Sequence, residues 1–151
     1  MMSHILNIND IAVSAKPVEL VCFGLGSCIG LFVTDRIKKV SGGVHIPLPG
    51  GTTGIDMKGA DELLEQMLQK VQSKGGNLNR LRAKVTGGSS ILSHENAIGE
   101  QNALSVVQLL QARKIYIAAT DLGGNVSRSV RFNSVTQELI ISTSTHEFYK
   151  I

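Results

Sequence analysis

Tryptophan is absent from this 151-residue chain, aromatic residues make up 4%, and there are two cysteines and three prolines. Two cysteines are too few for a disulfide-built scaffold, and a chain of this length buries roughly 68–70% of its unfolded surface without one. Charge is also sparse, at 18% against a usual ~25%. Fifteen Lys and Arg against twelve Asp and Glu leave a surplus of three. With so few aromatics to stack on bases, no nucleic-acid partner is indicated. The densest basic spots, Lys38-Lys39 and Arg80-Leu81-Arg82-Ala83-Lys84, read as solvated turn and strand edges. No run approaches the ~20 apolar residues that cross a bilayer, and the start, Met1 to Asn7, lacks the long apolar region of a signal peptide. Hydrophobic residues at 42% exclude a disordered polyelectrolyte. The expectation is one soluble, cytoplasmic domain over residues 1–151, without membrane insertion.

Glycine, by contrast, is plentiful: sixteen residues, several paired, punctuate short β-branched runs. Met57, Ala60, Leu63, Leu64, Met67, Leu68 and Val71 recur at helical steps. They predict a helix from Asp56, as its cap, to Lys74, stopped by Gly75-Gly76. A second helix is expected from Ile98 to Arg113, with Ile98, Asn102, Val106, Leu109 and Leu110 on one side. Strands are expected at 5–7, 19–23, 28–34, 40–46, 82–86, 115–120, 127–132 and 138–142. Two helices and about eight short strands give an α+β domain with a largely antiparallel sheet core flanked by helices.

The segment from Glu19 to Pro49 carries the chemistry. Strands 28–34 and 40–46 form a natural hairpin, and a centre between Arg36 and Ile37 pairs Val33 with Val40, Gly30 with Gly43, Ile29 with Val44 and Cys28 with His45. Directly opposed residues have Cβ atoms about 4.5–5.5 Å apart, within thiol–imidazole reach. The Gly30–Gly43 pair is expected to leave an open patch beside them. A free cysteine is only about 3% thiolate at pH 7, and an adjacent imidazole that takes its proton makes it a nucleophile. The preceding turn, Gly24-Leu25-Gly26-Ser27, offers backbone N–H groups to a developing oxyanion, with Gly26 and Ser27 the candidates. The commoner roles of these residue types, a small buried hydrophobe and a satisfied strand histidine, stand beside that reading.

Other patterns carry less. Gly24, Gly26 and Gly30 miss the dinucleotide fingerprint by one residue and lead into a strand, and no Gly-Lys-Ser/Thr phosphate loop exists. Cys22, Cys28 and His45 lack the close pair spacing of structural zinc sites, so neither metal nor cofactor is expected. His4, His94 and His146 are expected at surface or turn positions.

Gly24-Leu25-Gly26-Ser27-Cys28 with Gly43-Val44-His45-Ile46-Pro47-Leu48-Pro49 resembles the CheD family of chemoreceptor glutamine deamidases. The resemblance continues through Ala60-Asp61, Ala83-Lys84-Val85-Thr86-Gly87-Gly88, Ile98-Gly99-Glu100-Gln101-Asn102, Asp121-Leu122-Gly123-Gly124-Asn125 and Arg128-Ser129-Val130, in order along nearly the whole chain. It implies hydrolysis of glutamine side-chain amides to glutamate on the cytoplasmic helical region of chemoreceptors. In that scheme Cys28 is the nucleophile and His45 the general base. It also implies a fold like the deamidating domain of cytotoxic necrotizing factor toxins, and a CheC-type phosphatase as a partner of some members. The family's third triad member is a threonine six residues before the nucleophile, and here that position is Cys22. A thiol is a weak hydrogen-bond partner, so a backbone carbonyl is the alternative support for the imidazole, and Cys22 reads more simply as core. Leu92 stands where the family often places an aromatic. Asn125 and Arg128 are candidates for the rim that meets the substrate. The competing readings are a CheD-like docking module with little turnover and a thiol protease or transglutaminase.

Overall fold

The computed structural model describes residues 1–91 and 97–151; Leu92 and His94 lie outside the described residues. Among the described residues, ten strands and two α-helices run in the order β1 (Met2–Ile5), β2 (Ile11–Ser14), β3 (Val18–Leu25), β4 (Ile29–Asp35), β5 (Val40–Ile46), α1 (Ala60–Ser73), β6 (Arg82–Gly87), α2 (Ile98–Ala112), β7 (Tyr116–Leu122), β8 (Arg128–Asn133), β9 (Leu139–Thr143) and β10 (Phe148–Lys150). They form two five-stranded sheets, ordered β1-β3-β8-β9-β10 and β2-β5-β4-β6-β7. Pairing is antiparallel except for β1 with β3 and β6 with β7, as the α+β expectation requires. The two strands that the sequence pattern does not suggest, β2 and β10, are short edge strands of four and three residues.

Alternation along β4 explains the layering. Ile29, Leu31 and Val33 pack with Val44 and Ile46 of β5, Leu63, Leu64, Met67, Leu68 and Val71 of α1, and Val106 and Leu110 of α2. Phe32, on the opposite face, packs between the sheets with Leu20, Cys22, Leu25, Val130 and Phe132, its ring stacked 5.4 Å from that of Phe132. All seven β4 residues are therefore buried, as befits a central strand covered on both faces. The layers are sheet, sheet, then helices.

The first strand lies at Met2–Ile5 rather than at the expected residues 5–7, and two further features correct the sequence reading. Helix α1 begins after Gly59 rather than at Asp56. Gly54 and Met57 exchange backbone hydrogen bonds and Asp56 takes a left-handed φ of 56°, so those residues form a tight turn that a helix cannot include. At the other end Gly75, with φ 96°, terminates the helix, and Gly76 N donates to Val71 O at 2.9 Å.

The β4–β5 hairpin is the second. Asp35 stays in the strand opposite Val40, leaving Arg36–Lys39 as a four-residue turn. Its buried carboxylate accepts from the amides of Ile37 at 3.0 Å and Lys38 at 3.1 Å, from Asn77 N at 2.8 Å and from Arg80. Lys39 closes the turn with φ 56°. The centre thus lies between Ile37 and Lys38, and the register is Ile29 with Ile46, Gly30 with His45, Leu31 with Val44 and Val33 with Gly42.

Candidate active site

The bend joining β3 to β4, residues 26–28, is held by its carbonyls. Ser89 N donates to Gly26 O at 2.8 Å, Asn102 Nδ2 to Ser27 O at 2.9 Å, and Gly88 N to Cys28 O at 3.0 Å. Gly87 and Gly88, at φ 109° and 69°, carry β6 across the back of this bend, where a Cβ on Gly87 would overlap Cys28 O. That overlap and a φ of 109° admit only glycine at position 87, and at Gly88 a Cβ would lie 2.8 Å from Gly99 O. Among the described residues, no protein acceptor takes the amide N–H of Gly26, Ser27 or Cys28. The bend is thus fixed by its acceptors, and its donors are unspent.

His45 enters from β5. Its Nδ1 lies 2.8 Å from Leu6 O, and because a carbonyl can only accept, Nδ1 carries the hydrogen and neutral Nε2 has a free lone pair. The His45 backbone is held equally firmly, its N donating to Asp10 O at 3.2 Å and its O accepting from Asn9 N at 3.0 Å.

The two-residue change in register alters the pairing but not the face. Cys28 precedes the β4 residue that opposes His45 by two positions, so the pair are diagonal rather than direct neighbours. The expected Gly30–Gly43 patch does not form. Gly43 opposes Phe32, and a Cβ there would meet Leu20 and Phe32 at 2.9 Å, so its missing side chain lets the sheets close together. Cys28 and His45 nevertheless line one cleft, with Leu6, Asn7, Ile8, Phe23 and Gly24. Among the described residues the Cys28 thiol has no hydrogen-bond partner; resting catalytic sites are often this loose and tighten around substrate.

Burial sets the electrostatics. It pushes the half-buried Cys28 thiol above its ordinary value. It pulls the His45 imidazole below its own, against the opposing effects of the Leu6 carbonyl and Asp10. Both effects favour the uncharged forms. A thiol beside a neutral base, rather than a preformed thiolate–imidazolium pair, is the resting arrangement.

The remaining candidates are distributed otherwise. Cys22 is fully buried between the sheets, its thiol pushed up to about 12 by burial, with Cys28 and Asp10 adding to the shift. The imidazole's hydrogen bond goes to the Leu6 carbonyl, not to Cys22. Asn125 is exposed in the turn between β7 and β8 and is not among the cleft-lining residues. Arg128 departs from a rim position: only 5% exposed, it donates to Asp121 at 3.0 Å and Ser89 Oγ at 2.7 Å and reaches Gly87 O at 3.4 Å. It thereby braces the segment that grips the bend carrying Cys28. His4 is half-buried on β1, and His146 is exposed in a turn.

Sequence reasoning missed Leu6, whose contribution is a backbone carbonyl that no side-chain pattern betrays. It also missed Ser89 and Asn102 as supports, although Asn102 ends one of the motifs above and Ser89 directly follows another.

A family model described as CheD chemotactic sensory transduction matches residues 48–143. The chemoreceptor glutamine deamidase CheD of Thermotoga maritima is 34% identical over 143 residues, spanning 93% of this chain and 91% of the relative. A probable chemoreceptor glutamine deamidase CheD of Caldanaerobacter subterraneus subsp. tengcongensis is 36% identical over 157 residues, 97% of each chain. Another, the probable chemoreceptor glutamine deamidase CheD 2 of Methanosarcina acetivorans, is 37% identical over 136 residues; the match takes in 87% of this chain and 62% of that relative. With this likeness along most of its length, and the cysteine, the histidine and the glycine-bound bend in one cleft, the chain belongs to the CheD family.

Proposed function

We propose that the chain is a protein-glutamine amidohydrolase that converts glutamine side chains of chemoreceptors to glutamate, with Cys28 as nucleophile and His45 as general base. The observation that carries this reading is the shared cleft of Cys28 and His45, with His45 Nδ1–H committed to Leu6 O so that Nε2 is free to accept a proton. As Cys28 Sγ attacks the carboxamide carbon, its proton passes to Nε2 and the C=O electron pair moves onto oxygen. The amide groups of Ser27 and Cys28, which have no protein acceptor among the described residues, are the donors for that oxyanion. Collapse of the intermediate breaks the C–N bond, His45 gives its proton to the departing ammonia, and a thioester remains. Water then attacks the thioester carbon while Nε2 takes its proton. Collapse of this second intermediate breaks the C–S bond, His45 returns its proton to Cys28 Sγ, and the acid leaves as carboxylate with its proton passing to solvent.

The wider assignment follows the family: the substrate is the helical region of receptors inside the cell, and a CheC-type phosphatase is a partner. Exposed Phe23 and Ile8 beside the thiol suit the apolar face of a helix. Incubating the protein with a receptor cytoplasmic fragment should release ammonia and add one dalton per converted glutamine, and Cys28→Ala should abolish both. Full activity in that variant refutes the proposal. A docking module with little turnover is the second reading, favoured by the raised Cys28 thiol and by Cys22 in the threonine's place. Receptor binding without any mass gain would select it.

A further inference from the structure

Asn102 is the fifth residue of α2 and is fully buried. Nδ2 donates twice, to Ser27 O at 2.9 Å and to Pro47 O at 3.1 Å. Oδ1 has no partner among the described residues. Chemistry dictates this orientation, because the flipped amide would set Oδ1 against two carbonyl oxygens. An unpartnered buried oxygen is a cost that an apolar residue of the same size avoids. In exchange, Asn102 supplies two hydrogen bonds, and both end on backbone flanking the reacting groups. One carbonyl immediately precedes Cys28, and the other lies two residues beyond His45.

The Ser27 carbonyl shares its peptide plane with the amide N–H of Cys28. That peptide is trans, so the two groups point in opposite directions. Drawing the carbonyl inward to α2 turns the Cys28 N–H away from the helix, where no acceptor among the described residues takes it. Ser89 N acts in the same way on Gly26 O, and so on the N–H of Ser27.

We propose that Asn102 is a positioning residue for deamidation, one that orients the Cys28 amide as an oxyanion donor and ties the bend to the backbone following His45. The inference rests on the deamidase reading above and adds a residue to it.

The test uses the full chain and a receptor cytoplasmic fragment. Asn102→Asp keeps the shape but replaces the donor by an acceptor. Expected is a fall in kcat of ~10²–10³-fold, the usual consequence of losing an oxyanion donor, with KM nearly unchanged. Labelling of Cys28 by iodoacetamide should proceed at close to the wild-type rate, since alkylating sulfur builds no oxyanion. A peptide with an aldehyde in place of the glutamine carboxamide forms a hemithioacetal whose oxygen occupies the oxyanion position, and its affinity should fall with kcat. Wild-type kcat overturns the proposal. So does a joint loss of kcat, labelling rate and melting temperature, which marks general disruption. Should Asn102→Asp fail to fold, Asn102→Ser retains a hydroxyl too short to span both carbonyls, and full wild-type kcat there is equally fatal. Ammonia release by Cys28→Ala would instead sink the deamidase reading itself, whereas an inactive Cys28→Ala beside a fully active Asn102→Asp removes only the role of Asn102.

Discussion

Cys28 and His45 are both displaced towards neutrality by burial, and two measurements follow. Iodoacetamide labelling of Cys28 should rise with pH and reach its half-maximal rate only above the ordinary thiol value of 9.0; fast labelling at neutral pH would mean that a thiolate is already present. The acid limb of kcat/KM should lie below the ordinary histidine value of 6.5. A base works only unprotonated, and a depressed value keeps His45 unprotonated to lower pH. An acid limb above 6.5 would contradict the burial argument. Cys22 separates packing from chemistry. Cys22→Ala should cost about 1–2 kcal/mol in denaturant unfolding for the buried volume it removes, while kcat changes little, because the imidazole is already held by Leu6 O. A large loss of kcat at unchanged stability would give the thiol a role of its own.

Among the elements, the β4–β5 hairpin and the β6 terminus set the site's geometry. Burial alone would raise the Asp35 carboxyl, yet hydrogen bonds from the amides of Asn77, Lys38 and Ile37 and from Arg80 win and hold it at about 2. A carboxylate depressed from 3.8 adds stability that is complete above that unfolded value and disappears as pH falls through the folded one. Asp35→Asn should therefore cost about 2–3 kcal/mol at neutral pH, the scale of hydrogen bonds to a charged group. The gap from wild type should close on acidification towards pH 2; a gap independent of pH would mean that charge is not its source. At β6, Gly87→Ala forces a Cβ into Cys28 O and an L-residue into φ 109°. Strain of that kind costs about 1–3 kcal/mol, and turnover should fall far more than melting temperature, because the atom displaced is the carbonyl oxygen of Cys28, the proposed nucleophile. Unchanged turnover would show that the bend tolerates a shift.

Across the whole molecule, Arg128 joins the layers. It extends from β8 in one sheet to Asp121, Ser89 and Gly87 around the other, and Tyr149 completes the cluster through Asp121 at 2.5 Å. Asp121, at 25% exposure, keeps water and Tyr149 when Arg128 is removed, so the loss is on the scale of hydrogen bonds to a charged group, about 1.5–3 kcal/mol. Arg128→Ala should lower the melting temperature and slow turnover through the loosened 87–89 segment. A variant with a native melting profile and a raised KM alone would restore Arg128 to substrate contact.

Much of this was legible in the chain. Period-3.6 spacing from Ala60 to Val71 and the stop at Gly75 are local, and so is the β-branched alternation of β3 to β6; each depends on neighbours within a few residues. The motif around Cys28 and the one around His45 likewise named two side chains that share one cleft. What depends on distant partners was not legible. The hairpin register turned on a carboxylate held by Asn77 and Arg80, some forty residues beyond Asp35, which moved Cys28 from opposite His45 to its diagonal without changing the face. The Leu6 carbonyl, the double clamp of Asn102 and the inward turn of Arg128 are contacts between segments far apart in sequence. Local pattern thus chose the elements and the candidate site side chains, because side-chain period and turn chemistry act over a few bonds. Only packing three layers together decided which backbone groups were used up and which were left free to meet a substrate.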